Sequence, residues 1–168
     1  SSMPTWYGGW NNTVSYKNFD LNVFFRFSGG NKIMNASRQS ALFNMDFSNN
    51  GTEILGRWIS PEQPGDGMTP KIGYGDASSL FNDGYTDSHF VESGNYLKLS
   101  TLALGYTLPK AVVSKLNMTK IRFYVQGQNL LTITGYSGLD PETNSRLGVD
   151  WNGMPQQRSF TFGANITF

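Results

Sequence analysis

The sequence has no cysteine and one histidine, and only 15% of its 168 residues are charged. Without cysteine there can be no disulfide and no thiolate metal site, and a lone histidine is a poor basis for zinc. Asp and Glu number 12 against 13 Lys and Arg, a balance that leaves no electrostatic footprint for nucleic acid. No run of about eighteen apolar residues occurs, which excludes a transmembrane helix. The opening Ser1-Ser2-Met3-Pro4 lacks the basic-then-apolar order of a signal peptide. A protein acting outside the inner membrane would therefore be expected to carry this chain as a piece of a longer precursor.

What is present favours strands. There are 12 Phe, 8 Tyr, 4 Trp and 19 Gly, with abundant Asn, Ser and Thr. Few charges, many neutral polar residues and many aromatics suit a barrel wall whose polar side meets water. They suit an extracellular sugar-binding sandwich equally well. The last stretch, Arg158 to Phe168, is the most regular. Phe160, Phe162, Ala164, Ile166 and Phe168 share one parity, and Ser159, Thr161, Gly163, Asn165 and Thr167 the other, which gives a strand with one apolar face. A soluble domain usually frays at such an end, whereas a membrane barrel must pair its last strand fully.

Four more strands precede it. Trp6 to Tyr16 is aromatic and Gly-rich. After Lys17-Asn18, the residues Phe19, Leu21, Val23, Phe25 and Phe27 line one face, opposite Asp20, Asn22 and Arg26. In Asn95 to Leu108 the apolar parity switches near Thr101, through either a bulge or an upper half packed against protein. In Lys120 to Thr134, Ile121, Phe123 and Val125 oppose Arg122, Tyr124, Gln126 and Gln128. Between strands, Ala36 to Trp58 has only loose helical spacing, and Pro109 to Asn117 reads as a short helix or compact turn. Asn31 to Thr86 is otherwise rich in turn residues, and so long a stretch is unusual as a loop in a compact soluble domain.

The connections alternate in length. Lys17-Asn18 and Pro109 to Thr119 are short, while Asn31 to Gly94 and Gly135 to Gln157 are long. Outer-membrane barrels have this asymmetry, with short inner turns and long outer loops. Five strands are too few to close one, since natural single-chain examples need at least about eight. The expectation is an all-β antiparallel meander that forms part of a larger wall.

Several ordered stretches then resemble the late barrel strands of the SusC/RagA-like TonB-dependent outer-membrane transporters of Bacteroidetes. They are Trp10-Asn11-Asn12-Thr13, Tyr16 to Leu21, Phe27 to Ile33, Val91 to Leu99, Leu104 to Pro109, Gly127 to Leu130, Tyr136 to Glu142 and Arg158 to Gly163. The resemblance implies that residues 1–168 are the carboxyl-terminal portion of a transmembrane β-barrel of about 22 strands, with the plug domain and most strands absent. It implies a bacterial outer-membrane importer of oligosaccharides or peptides, powered through TonB–ExbB–ExbD and working with a SusD-like lipoprotein. The other expected partners are the remainder of the barrel and its plug, and outer-membrane lipid. Family members end on an aromatic residue that serves as an assembly signal, the role implied for Phe168. The rival expectation is a secreted β-sandwich that binds glycans through Trp58 and Trp151.

Candidate side chains follow from this reading. Phe19, Leu21, Val23, Phe25, Phe27, Phe160, Phe162 and Ile166 would face lipid. Trp58, Tyr74, Phe81, Tyr85, Tyr136 and Trp151 in the long loops would touch cargo or the lipoprotein, or simply pack the loops. Asp66, Asp76, Asp83, Asp87, Asp140, Glu142 and Asp150 do not follow the ligand order of a calcium loop and are expected to be solvated turn formers. No two of them are fixed at a glycosidase separation, so no catalytic residue, metal or cofactor is assigned. His89 is expected to make a local hydrogen bond, and Asp20 and Arg26 to pair with a neighbouring strand or face the wet interior.

Overall fold

The computed structural model describes residues 1–43, 49–71, 88–142 and 148–168. Five strands make its main sheet: β1 (Trp6–Tyr16), β2 (Phe19–Gly29), β5 (Tyr96–Thr107), β6 (Lys120–Thr134) and β8 (Ser159–Thr167). They lie in the order β1-β2-β5-β6-β8, each antiparallel to the next. This is the expected meander, at nearly the expected boundaries. Both short connections lie at one end and both long ones at the other.

Register decides which side chains share a face. Val23 lies opposite Leu102, Leu102 opposite Gly127, and Gly127 opposite Phe160. Nearer the short connections, Tyr16 pairs with Phe19, Phe19 with Tyr106 and Tyr106 with Phe123. Phe19, Leu21, Val23, Phe25 and Phe27 therefore continue one apolar face that includes Leu97, Leu99, Leu131, Ile133, Phe162 and Ile166. No charged residue lies on it within the paired strands. Trp10 stacks on Phe25 with ring centroids 5.8 Å apart, and Trp6 meets Phe27 at 6.1 Å. No second layer covers this face among the described residues: Phe160 is 65% exposed and Phe162 79%. A sandwich would have buried them.

The parity switch in β5 is a bulge. Phe24 pairs with Thr101 but Phe25 pairs with Leu99, so Ser100 is the extra residue. An added residue turns the strand by half a pleat. Leu102 and Leu99 consequently point to the same side despite their opposite parity. β6 answers with its own irregularity, pairing Gln128 with Thr101 and Leu131 with Leu99, where Asn129 adopts a left-handed φ of 52°.

The opposite face is polar. Asp20 on β2 accepts from Arg122 on β6 at 2.9 Å, and its second oxygen accepts from the same guanidinium. The pair spans β5 above Gly105, where an added Cβ would come within 2.3 Å of Arg122. Glycine is what lets the bridge pass. Asp20 thus reaches the next strand but one rather than its immediate neighbour.

Beyond the long-connection end stands a second, three-stranded sheet in the order β4-β3-β7. It comprises β3 (Lys32–Asn35), β4 (Val91–Ser93) and β7 (Val149–Asp150). Asn35 caps helix α1 (Ala36–Phe43), its side-chain oxygen accepting from the Arg38 amide at 2.9 Å, which satisfies an otherwise orphaned donor. Ile33, Ala36, Phe90 and Tyr136 are buried here. At the other end, the short connection folds as a helical turn, Lys110–Val113, and a 3-10 turn, Ser114–Leu116, closed by Asn117 in the left-handed conformation at φ 54°.

Candidate functional site

The long connection after β6 is fastened to the polar face of the wall by a group of charges. Lys98 of β5, only 1% exposed, donates to both Asp140 oxygens at 2.7 and 2.8 Å and also to Glu142. Arg26 of β2 donates to Glu142 at 2.7 Å and to the Gln156 side chain at 2.6 Å. The Tyr96 hydroxyl takes the other Glu142 oxygen at 2.7 Å. Asp140 also accepts the Glu142 amide at 3.0 Å and the Gln156 amide at 3.3 Å. Burial alone would raise the Asp140 carboxyl. Lys98 and those two amides outweigh burial and hold it below its ordinary value. Two carboxylates set against Lys98 and Arg26 form a clasp in which the charge is compensated.

A second group ties that connection to the small sheet. Glu92 on β4 accepts the Ser137 amide and hydroxyl, both at 2.7 Å, and meets Arg38 at 3.2 Å. Burial pushes the Glu92 carboxyl up, but these donors bring it below its usual range. Arg38 also grips Glu53 through both Nε and Nη2, and His89 Nε2 lies 3.5 Å from the same guanidinium. The Tyr136 hydroxyl donates to Asp150 at 2.6 Å; burial first, and then this carboxylate, pushes the phenol well above its ordinary value. Between these parts lies a recess of about 310 Å³, lined by Asn35, Ser37, Arg38, Glu53, Leu139 and Asn152 among others. No group of three or more His, Cys, Asp or Glu able to hold a metal occurs among the described residues.

No family model matches the chain. The TonB-dependent receptor P3 of Formosa agariphila is 33% identical to it over 98% of this chain, a match that takes in 16% of the receptor. The TonB-dependent receptor SusC of Bacteroides thetaiotaomicron is 26% identical over 95% of the chain and 15% of its own length. A solved structure of the RagAB peptide importer in its closed-closed state superposes on all of this chain with a TM-score of 0.84 and 27% identity, covering 18% of the importer chain. The chain is SusC/RagA-like. It spans about a sixth of the length of the curated relatives it matches.

In this SusC/RagA-like segment the sequence-predicted loop aromatics separate. Trp151 is 74% exposed, presented by a turn in which Asp150 accepts the Gly153 amide at 3.1 Å. Trp58 is half-buried beside a recess of about 370 Å³, with the Lys71 ammonium 5.8 Å from its ring centroid. Tyr136 is buried and holds the loop through its hydroxyl, the packing alternative among the roles expected for these rings. Tyr74, Phe81 and Tyr85 lie outside the described residues, as do Asp76, Asp83 and Asp87. Asp66 builds a turn as expected, accepting the Met68 and Thr69 amides at 2.8 and 2.7 Å. Asp140 and Asp150 correct the expectation of solvated carboxylates, at 5% and 3% exposure. Sequence reasoning missed Lys98 altogether. Its one signal was a charge on a strand whose parity had switched.

Proposed function

We propose that this chain is the carboxyl-terminal wall and outer-loop segment of an energised outer-membrane importer. The observation that carries the reading is the uncovered, charge-free apolar face running across five paired strands. Charge at the midplane of an outer-membrane barrel costs about 2–4 kcal/mol, so a face free of it suits contact with lipid. The 11 residues of β1 span roughly 33 Å at about 3.3 Å per residue. Tilted by roughly 40°, they match an apolar band about 25 Å tall. Trp6 and Tyr16 sit at its two ends, where aromatic girdles belong.

On this reading Phe19, Leu21, Val23, Phe25, Phe27, Phe160, Phe162 and Ile166 meet hydrocarbon, while Asp20, Arg26, Lys98 and Arg122 face a plugged, wet lumen. β1 and β8 pair with the remainder of a barrel of about 22 strands. The long connections stand outside, where Trp58, Trp151 and the recess beside Arg38 offer contacts to oligosaccharide or peptide cargo or to a SusD-like lipoprotein. Energy arrives from TonB–ExbB–ExbD through parts of the protein beyond this chain. The chain's own work is structural rather than catalytic. Phe168 would present the assembly signal.

The test is uptake of labelled oligosaccharide and peptide mixtures by cells expressing the full-length receptor, with and without a working TonB. Heat-resistant receptor in the outer-membrane fraction and TonB-dependent uptake of either cargo class is the expected result. Folded receptor recovered in aqueous buffer without detergent would overturn the reading.

A further inference from the structure

The end of the wall carrying the short connections combines two features that the import reading does not use. One is a groove of about 280 Å³ in the apolar face, lined by Phe19, Leu104, Tyr106, Phe123 and Val125 among others. The other is its rim. Lys17-Asn18 and the connection from Leu108 to Thr119 contain Lys17, Lys110 and Lys115 and no acidic residue. All three lysines are exposed.

Their placement follows from the backbone. The Thr107 amide donates to the Asn18 carbonyl at 2.8 Å, which sets the Lys17 turn beside the start of the Lys110 connection. Lys17 Nζ lies 5.3 Å from the centroid of the Tyr16 ring, and Tyr16 is itself on the apolar face, 68% exposed. That ammonium therefore stands over the membrane side of the wall. Phe19 and Tyr106, whose rings meet at 4.7 Å, form the row directly above it. Val112 and Leu116, one turn apart on the rim, are 44% and 54% exposed, as suits a segment resting at a lipid interface. Asp20, on the adjoining β2, is on the polar face and already paired with Arg122. Lys120 adjoins that pair and belongs to the polar side.

We infer that this rim binds an anionic phospholipid of the inner leaflet, one acyl chain lying in the Phe19–Leu104–Phe123 groove and the phosphate between Lys17 and Lys110. The proposal rests on the outer-membrane reading above and adds a defined lipid site to it. An apolar groove alone would accept any chain. The unopposed lysines at its mouth select for negative charge, and they do so at the level where a headgroup lies.

Native mass spectrometry of the full-length receptor, offered phosphatidylglycerol and phosphatidylcholine with identical chains, tests it. Roughly fivefold per lysine gives an expected preference for phosphatidylglycerol of about thirtyfold, with one molecule retained at the highest collision energies. Lys17→Glu with Lys110→Glu should abolish the preference, and arginine at both positions should keep it. Leu104→Trp, which fills the groove and leaves the charges, should release the tightly held molecule. Heat-modifiable gel mobility reports that each variant is folded. Equal retention of the two lipids by the wild type overturns the proposal without any variant. So does a preference that survives Leu104→Trp, because that would be diffuse adsorption to a basic rim. Either outcome in a folded, membrane-inserted receptor leaves the importer reading standing, whereas absence from the outer membrane removes both.

Discussion

The wall and the cap of outer connections are held together in opposite ways. The wall keeps its charges on one face and joins its strands by long ladders broken only at the Ser100 bulge, and no protein layer covers its apolar face among the described residues. The cap has strands of two to four residues and a core of a few apolar side chains. Its order comes from buried polar groups: Lys98 with Asp140 and Glu142, Glu92 with Ser137, Tyr136 with Asp150. Backbone pairing tolerates almost any side chain of the right polarity, whereas a buried charge tolerates only its partner. The difference teaches where substitutions should be costly for a local reason and where only their sidedness should count.

The comparison breaks most sharply at the clasp. Asp140→Ala in the full-length receptor leaves the buried Lys98 with Glu142 alone, a carboxylate that Arg26 also holds, and should approach the cost of about 3–5 kcal/mol for a broken buried pair. Lys98→Met combined with Asp140→Leu should recover most of that loss. Urea unfolding from lipid vesicles measures both. On the wall the expected sensitivity is to side rather than partner. Leu102→Arg, near mid-depth on the apolar face, should destabilise by about 2–4 kcal/mol, while Ala103→Arg on the polar face should be nearly silent by the same measurement.

Gly105→Val tests the bridge between the two kinds of holding. A side chain there collides with Arg122 and Asp20, and losing a charged hydrogen bond costs about 1.5–3 kcal/mol. Phe168 is 86% exposed and touches little, so Phe168→Asp should leave the stability of inserted receptor almost unchanged. It should instead lower the amount inserted, read by surface labelling. Normal surface levels would remove the assembly role.

The smallest effect is in pH. Because the Asp140 carboxyl is held below its ordinary value, its contribution is complete above the ordinary carboxylate range. It is lost as pH falls through the depressed folded value. Amide protection factors in residues 139–142 and 148–157 should therefore match between about pH 7 and about pH 5 and fall only in stronger acid, with those of β2 and β5 unmoved. A loss already evident near neutrality would contradict the sign.

Much of the wall was legible because period-two alternation is local: Phe19 to Phe27 and Phe160 to Ile166 declare their face without reference to any other strand. The Thr101 switch was visible too, but choosing between a bulge and a change of environment required the partner register at Phe24 and Phe25. The cap was largely illegible. β7 is a two-residue strand with no periodicity to detect, and β3 pairs with it in parallel across more than a hundred residues of sequence. Asp140 lies in a stretch of turn residues, and nothing local says that a lysine 42 positions earlier neutralises it. Asp20 was placed on the correct face, yet its partner two strands away depended on a glycine between them.

Ser100 gives β5 a vulnerability to length that composition would never reveal. Removing that single residue would set Thr101 beside Leu99 and restore an unbroken ladder with β2, with Leu99 still opposite Phe25 and Lys98 still opposite Arg26. Adding a second residue there would instead rotate the upper half of the strand, turning Lys98 to the apolar side and Leu97 and Leu99 to the polar one, and cast the Asp140 loop adrift. A one-codon insertion at this position should thus be harsher than a one-codon deletion.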